Sequence, residues 1–291
     1  MAVLTVYPNG MKAGIAPGKS DHVRAKRDKV GGWSEKSTRA NLEFLKSVLI
    51  PRLDGLGHAF TLTVRTCPES PEKWASMRDR YIKRLVRGGC IRLHWVTEWQ
   101  KRGVPHLHGV AFFPAPESDR EYMLQSRLVR HAWLAVVQDE TVEDHSQHVN
   151  PMESALGWLQ YLAKHASRGA SHYQRSKESM PLAWDGVTGR MWGKAGNWPV
   201  QAGTRLEVSQ SAFFAFRRWV RGWRRADARC ASGVISERQE AVRRARIKSA
   251  RGMLRCNLES LSQTRGVSEW IPEAVQWSMV EYLNRYHEVR C

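Results

Sequence analysis

Two alternating runs around a short basic turn constrain this chain more than any other stretch. From Cys90 to Trp99, the residues Ile91, Leu93 and Trp95 fall on one face, and Arg92, His94, Val96 and Glu98 on the other. After the turn, Pro105-His106-Leu107-His108-Gly109-Val110-Ala111-Phe112-Phe113 resumes as a strand. Period-two patterning on both sides of Lys101-Arg102-Gly103 predicts an antiparallel hairpin. With Gln100 to Val104 as the loop, Glu98 stands directly across from His106, Cβ atoms roughly 5 Å apart, and His108 shares that face. A slip of one residue sets Glu98 opposite Pro105 and dissolves the grouping.

The surrounding segments supply partners for this hairpin. His58-Ala59-Phe60-Thr61-Leu62-Thr63-Val64-Arg65 alternates and carries β-branched threonines, so it reads as a half-buried strand with Phe60, Leu62 and Val64 inward. Helices are predicted from Ser34, with Leu42, Leu45, Val48 and Leu49 at helical spacing and Pro51 ending the run. Others are predicted from Pro71 to about Arg87, stopped by Gly88 and Gly89, and from about Ser118 to Val137. A polar loop with His145 and His148 follows, then a helix start at Asn150-Pro151-Met152-Glu153: Asn as N-cap, Pro in the first turn, Glu three residues on. In that helix Ala155, Leu159, Leu162 and Ala166 form an apolar stripe, while Trp158, Tyr161, Lys164, His165 and Arg168 occupy the other side.

The two ends read differently. Residues 1 to about 33, rich in Gly, Pro and Lys, read as an irregular arm. From about Ser209 the chain reads as helical and is strongly basic between Arg217 and Arg255.

Over the whole chain 46 Lys and Arg stand against 28 acids, a net charge of +18. That surplus suits a partner made of phosphates but is silent about chemistry, because a purely structural basic protein shares it. The five cysteines, Cys67, Cys90, Cys230, Cys256 and Cys291, include no Cys-x-x-Cys pair, which argues against a zinc finger or a disulfide framework and for a reducing cytoplasm. Nowhere do eighteen apolar residues occur together, so no membrane partner is expected. Of the thirteen tryptophans most are expected in the core; a few beside basic residues could stack on unpaired bases.

Chemistry rests on two groups of residues. A His-x-His pair alone says little about metal. With Glu98 across the hairpin, it offers two imidazoles and one carboxylate with open positions, a site for Mg²⁺ or Mn²⁺ acting on a phosphate oxygen. Tyr161 alone is most simply a packing residue, and the Tyr161–Lys164 pair could be a solvated helix surface. As chemistry, the Lys164 ammonium one turn on favours the phenolate or neutralises charge on a phosphate under attack.

Phe60-Thr61-Leu62-Thr63, then Glu98 with Pro105-His106-Leu107-His108-Gly109, then Tyr161-Leu162-Ala163-Lys164, resemble the three ordered motifs of the HUH endonucleases. Within that superfamily the chain resembles the rolling-circle replication initiators, the Rep proteins of plasmids and filamentous phages. The likeness extends to Gly189-Arg190-Met191-Trp192-Gly193-Lys194. It implies an α+β fold, a central antiparallel sheet of the HUH, RRM-like palm type, with the histidine strand central and the tyrosine helix packed on it. The division implied is an N-terminal arm and packing helix (1–57), an HUH endonuclease domain (58–200) and a basic, mainly helical segment (201–291).

By the same resemblance His106, His108 and Glu98 hold the metal. Tyr161 attacks single-stranded origin DNA, leaving a 5′-phosphotyrosine and a 3′-OH primer, and Lys164 assists. Gly157 and His165 occupy the positions one turn to either side of Tyr161, so this resembles a single-tyrosine enzyme. The partners expected are origin DNA and, since the chain has no Gly-x-x-x-x-Gly-Lys-Ser/Thr loop, a helicase and replication machinery supplied by the bacterial host. An HUH transposase or mobilisation relaxase shares the chemistry. A non-catalytic basic repressor is the reading from a different class, and it has no use for these five residues.

Overall fold

A computed structural model describes residues 2–15, 31–137, 144–152, 154–159, 174, 179–184, 186–230, 236–252, 267–287 and 289–290. The fold is α+β with two antiparallel sheets of five strands each. The chain divides into two compact units, Arg24–Val200, and Met1–Val23 together with Gln201–Cys291.

The unit of Arg24–Val200 is built on β3 (Leu56–Thr63), β4 (Arg92–Trp99), β5 (Pro105–Phe113), β6 (His148–Pro151) and β7 (Trp192–Gly196), in the order β6-β3-β5-β4-β7. The histidine strand β5 is the central one, as expected. Both β4 and β5 are buried at every residue, so helices must cover both faces.

One face carries Phe60, Leu62, Leu107, Leu93, Trp95 and Trp99, and packs against α2 (Pro71–Arg87) and α3 (Asp119–Val137). Ser70 caps α2 by accepting from the Lys73 amide, Pro71 occupies its first turn, and Trp74, Met77, Tyr81 and Leu85 recur on its buried stripe. Trp133 of α3 sits edge-on to both Trp74 and Tyr81 at about 5.5 Å and donates its indole N–H to the Thr63 carbonyl. Each such aromatic pair adds about 0.5–1.5 kcal/mol beyond area burial.

The other face, bearing His94, Glu98, His106 and His108, is partly covered by α1 (Glu35–Ser47), capped by Ser34. Phe44 of α1 stacks on His94, and Asn41 accepts from the His94 ring N–H at 2.8 Å. The helix ends at Ser47, short of Pro51, because Val48 bridges to Val200 and the Leu49 amide donates to Pro199.

The other unit corrects the reading of the N-terminal end and adds strands to the helices of the C-terminal one. The first residues are not an irregular arm: β1 (Ala2–Tyr7) and β2 (Gly10–Ile15) form a hairpin. The basic segment adds β8 (Thr204–Val208), β9 (Val267–Trp270) and β10 (Val289–Arg290), giving the order β10-β8-β1-β2-β9. Its helices are α4 (Gln210–Arg229), α5 (Glu237–Gly252) and α6 (Glu273–Tyr286). Phe213, Phe216 and Val220 of α4 and Met279 and Leu283 of α6 bury Leu4, Val6, Met11, Leu206 and Val208. Strands that pair across some two hundred residues, such as Val3 with Glu207, leave little local signature.

Two further expectations change. His148 lies in β6, not in a loop, and Asn150-Pro151 pairs with β3 rather than opening a helix. The helical turn at 155–159 is capped instead by Ser154, whose hydroxyl accepts from the Gly157 amide at 3.1 Å. Ladder bonds to β3 outweigh the capping preference of Asn150.

Candidate metal centre

The hairpin takes the register in which Gln100 to Val104 form the loop. Gln100 donates its amide to Val104 and receives one from Gly103, whose positive φ of 76° closes the turn. Trp99 therefore pairs with Pro105, Glu98 with His106 and Val96 with His108. Across the opposite edge of β5, Thr63 pairs with His106 and Thr61 with His108. Glu98, His106, His108, Thr61 and Thr63 consequently share one face.

Gly109 lets this strand sit so deep. A Cβ at that position would lie 2.3 Å from the ring of Phe60 and 2.4 Å from the backbone oxygen of His94. The glycine that follows the histidine pair is thus a packing requirement of the central strand.

Glu98 is fully buried, and His106 and His108 are nearly so. One ligand atom from each lies within 4.8 Å of the other two. The two Nε2 atoms face each other at 2.7 Å, and a Glu98 carboxylate oxygen lies 3.9 Å from Nε2 of His108. Nδ1 of His108 lies 2.8 Å from the Thr61 hydroxyl. With Nδ1–H donating to Thr61, the Nε2 lone pair of His108 points into the cluster, the tautomer a ligand requires. A carboxylate removed from water costs several kcal/mol, and a cation shared with the two imidazoles is one way to offset that cost. Among the described residues no other group of three or more histidines, cysteines or acids has ligand atoms so close.

The other histidines of this sheet behave differently. Burial pushes His94 down to about 3, helped by the Lys194 ammonium, so it is a neutral ring between Phe44 and Asn41. His58 is also lowered by burial, and it donates to Gln125. Among the described residues neither has a carboxylate beside it, which separates structural histidines from ligand-like ones.

Around the cluster the structure adds residues that periodicity did not single out. Thr61 belongs to the Phe60-Thr61-Leu62-Thr63 run; its signal was a hydroxyl paired in register with a histidine. Gln100 donates to the Thr63 hydroxyl at 2.7 Å, and buried Gln147 accepts from the Thr63 amide at 2.8 Å. His148, exposed on the edge strand, pairs with Thr61 and so lies on the same face as the cluster. The Gly189–Lys194 stretch contributes β7, in which Trp192 pairs with Val96 and Lys194 with His94. Tyr161 and Lys164 lie outside the described residues; Leu159, two residues before Tyr161, is buried.

Comparison with known proteins gives this geometry a family. Residues 57–170, which hold the whole cluster as well as Tyr161 and Lys164, match the model of the replication-associated protein ORF2 family. A putative replication protein of Xylella fastidiosa (strain 9a5c) is 43% identical, over 94% of this chain and 93% of its own length. A replication-associated protein of Pseudomonas phage Pf3 is 44% identical, over 89% of this chain and 88% of its own. The chain belongs to the replication-associated protein ORF2 family. In this ORF2-family chain the similarity to relatives runs well beyond the matched domain, through most of the basic C-terminal segment. No solved structure matches it. Among the described residues no helix is long and apolar enough to cross a membrane.

Proposed function

We propose that this protein initiates rolling-circle replication of a plasmid or phage as a metal-dependent DNA nicking and joining enzyme of the HUH type. The buried Glu98-His106-His108 cluster, inside the stretch that matches the family model, carries the reading. Its relatives are replication proteins of Xylella fastidiosa and of phage Pf3. The endonuclease domain is assigned to 58–200.

Glu98, His106 and His108 would hold a divalent cation, Mg²⁺ or Mn²⁺; the two nitrogen donors favour Mn²⁺, since Mg²⁺ prefers oxygen ligands. When bound, such a cation polarises a non-bridging phosphate oxygen. The chain's own residues do the rest. Thr61 holds the His108 ring in its ligand tautomer. Tyr161 attacks the scissile phosphorus of single-stranded origin DNA: its phenolic oxygen forms the new P–O bond and the bond to the 3′ oxygen breaks. The phenolic proton passes to that leaving oxygen, giving a 3′-OH primer and a 5′-phosphotyrosine. Lys164, three residues on, offsets the charge that grows on the phosphate. A host helicase then opens the duplex, and the site of action is the bacterial cytoplasm.

The test is nicking of single-stranded DNA from the protein's own replicon, with Mn²⁺ or with EDTA, by wild type and His106→Ala. Cation-dependent cleavage lost in the variant supports the reading. Cleavage that ignores both EDTA and the variant overturns it.

A further inference from the structure

Half of the cationic surplus of this chain falls in the unit that does not hold the metal centre. Between Gln210 and Gly252 the sequence has twelve basic and three acidic side chains, half of the net +18. All of these charges lie on α4 and α5, which pack against each other in the unit of Met1–Val23 and Gln201–Cys291. The apolar face of α4, with Phe213, Phe216 and Val220, is buried against the sheet. Arg218, Arg221, Arg225 and Arg229 recur at three- and four-residue spacing on the opposite side.

Helix α5 buries only Ala250. Two of the three acids are already engaged, Asp227 with Arg246 and Glu240 with Arg243. Arg218, Arg221, Arg225, Arg229, Arg238, Lys248 and Arg251 have no ion pair among the described residues.

We propose that α4 and α5 form a second nucleic-acid surface that grips the phosphate backbone of duplex DNA without reading bases. Twenty residues make α4 about 30 Å long, close to one turn of duplex at about 34 Å. Packing two cationic helices together carries repulsion that a polyanion relieves. A single-strand surface needs aromatic platforms for the bases. The sequence of α5 contains no aromatic residue, and Trp219 and Trp223 of α4 are stacked on each other at 5.8 Å and packed on the core. A membrane-surface helix needs large apolar side chains on one face, and α5 offers only Val242 and Ile247. The proposal goes beyond the nicking reading and is tested without nicking.

The experiment measures binding of full-length protein to a duplex of arbitrary sequence, to a single strand of equal length and to anionic vesicles, across a salt series. The variant is Arg218→Gln/Arg229→Gln/Lys248→Gln/Arg251→Gln, four exposed positions. Each lost phosphate contact lowers the slope of log K against log salt by about 0.9, so the slope for duplex falls by up to about 3.6. Duplex affinity falls at least about tenfold, single-strand binding changes less than about twofold, and replacing the same three arginines by lysine preserves both affinity and slope. In wild type, duplex also raises amide protection along α5. An unchanged slope, an equal loss on single strands, a loss confined to vesicles, failure of the lysine variant, or unaltered protection of α5 overturns the proposal.

Discussion

The Thr61 hydroxyl sits 2.8 Å from Nδ1 of His108, while the other nitrogen of that ring faces His106. A side chain in the edge-ward neighbour of the histidine strand thus sets which nitrogen of His108 is available to the cluster. Removing that hydroxyl while keeping the side chain's shape, Thr61→Val, is expected to weaken Mn²⁺ binding about 10- to 100-fold, the usual penalty for losing a group that orients a ligand. Thr61→Ser restores binding. Calorimetric titration of Mn²⁺ checks both, and wild-type affinity in the valine variant contradicts the assignment.

Glu98 supplies the negative charge of the cluster from a fully buried position. Glu98→Gln keeps its size and removes that charge. Wild-type protein should melt higher as Mn²⁺ is added, by about 2.7 kcal/mol of extra stability at a hundredfold excess over the dissociation constant. The glutamine variant should show no such rise, whatever the change in its metal-free stability. Differential scanning fluorimetry with and without Mn²⁺ separates the two effects.

Gly109 has no room for a methyl group between the Phe60 ring and the His94 carbonyl. Gly109→Ala is expected to cost about 1–3 kcal/mol by overpacking, since one of the two contacts is backbone and cannot rotate away. Urea unfolding measures it, and a neutral substitution contradicts the close approach.

His94, held down to about 3 by burial and the Lys194 ammonium, ties the fold to pH. The unfolded chain binds this proton below about pH 6.5 and the folded protein does not until far lower, so stability is intact above 6.5 and declines as the medium is acidified toward 3. The decline is about 1.4 kcal/mol per pH unit for one proton. His94→Gln, which keeps a donor toward Asn41, should flatten the acid limb of urea stability by one proton. An unchanged acid limb shows that His94 does not govern it.

The central hairpin was legible because alternation and loop length act together: with the five residues between Trp99 and Pro105 as the loop, Glu98 stands across from His106, and the structure selects that register over a slip of one residue. The helices at Pro71 and Asp119 declared themselves through apolar spacing, the first also through its stop at Gly88-Gly89. Asn150-Pro151 misled because its capping signal is local, whereas the bonds that make it a strand come from β3, some ninety residues earlier. The N-terminal hairpin carried one readable sign, Asn9-Gly10 between two short runs, outweighed by Gly and Lys content. Its partners β8 and β9 lie at the far end of the chain. At the site, the candidate ligands Glu98, His106 and His108 could be read from residue chemistry and hairpin pairing. The supporting roles of Thr61, Gln100 and Gln147 could not, because each depends on a strand or turn that brings distant residues together.

The most direct measurement is the covalent adduct. Labelled single-stranded DNA tiling the protein's own replicon is incubated with wild type and Tyr161→Phe, in Mn²⁺ or EDTA, and resolved under denaturing conditions. A Mn²⁺-dependent protein–DNA adduct at one sequence, absent from the phenylalanine variant, is the predicted result. DNA binding with no adduct at any sequence, or an adduct that survives Tyr161→Phe, contradicts the account.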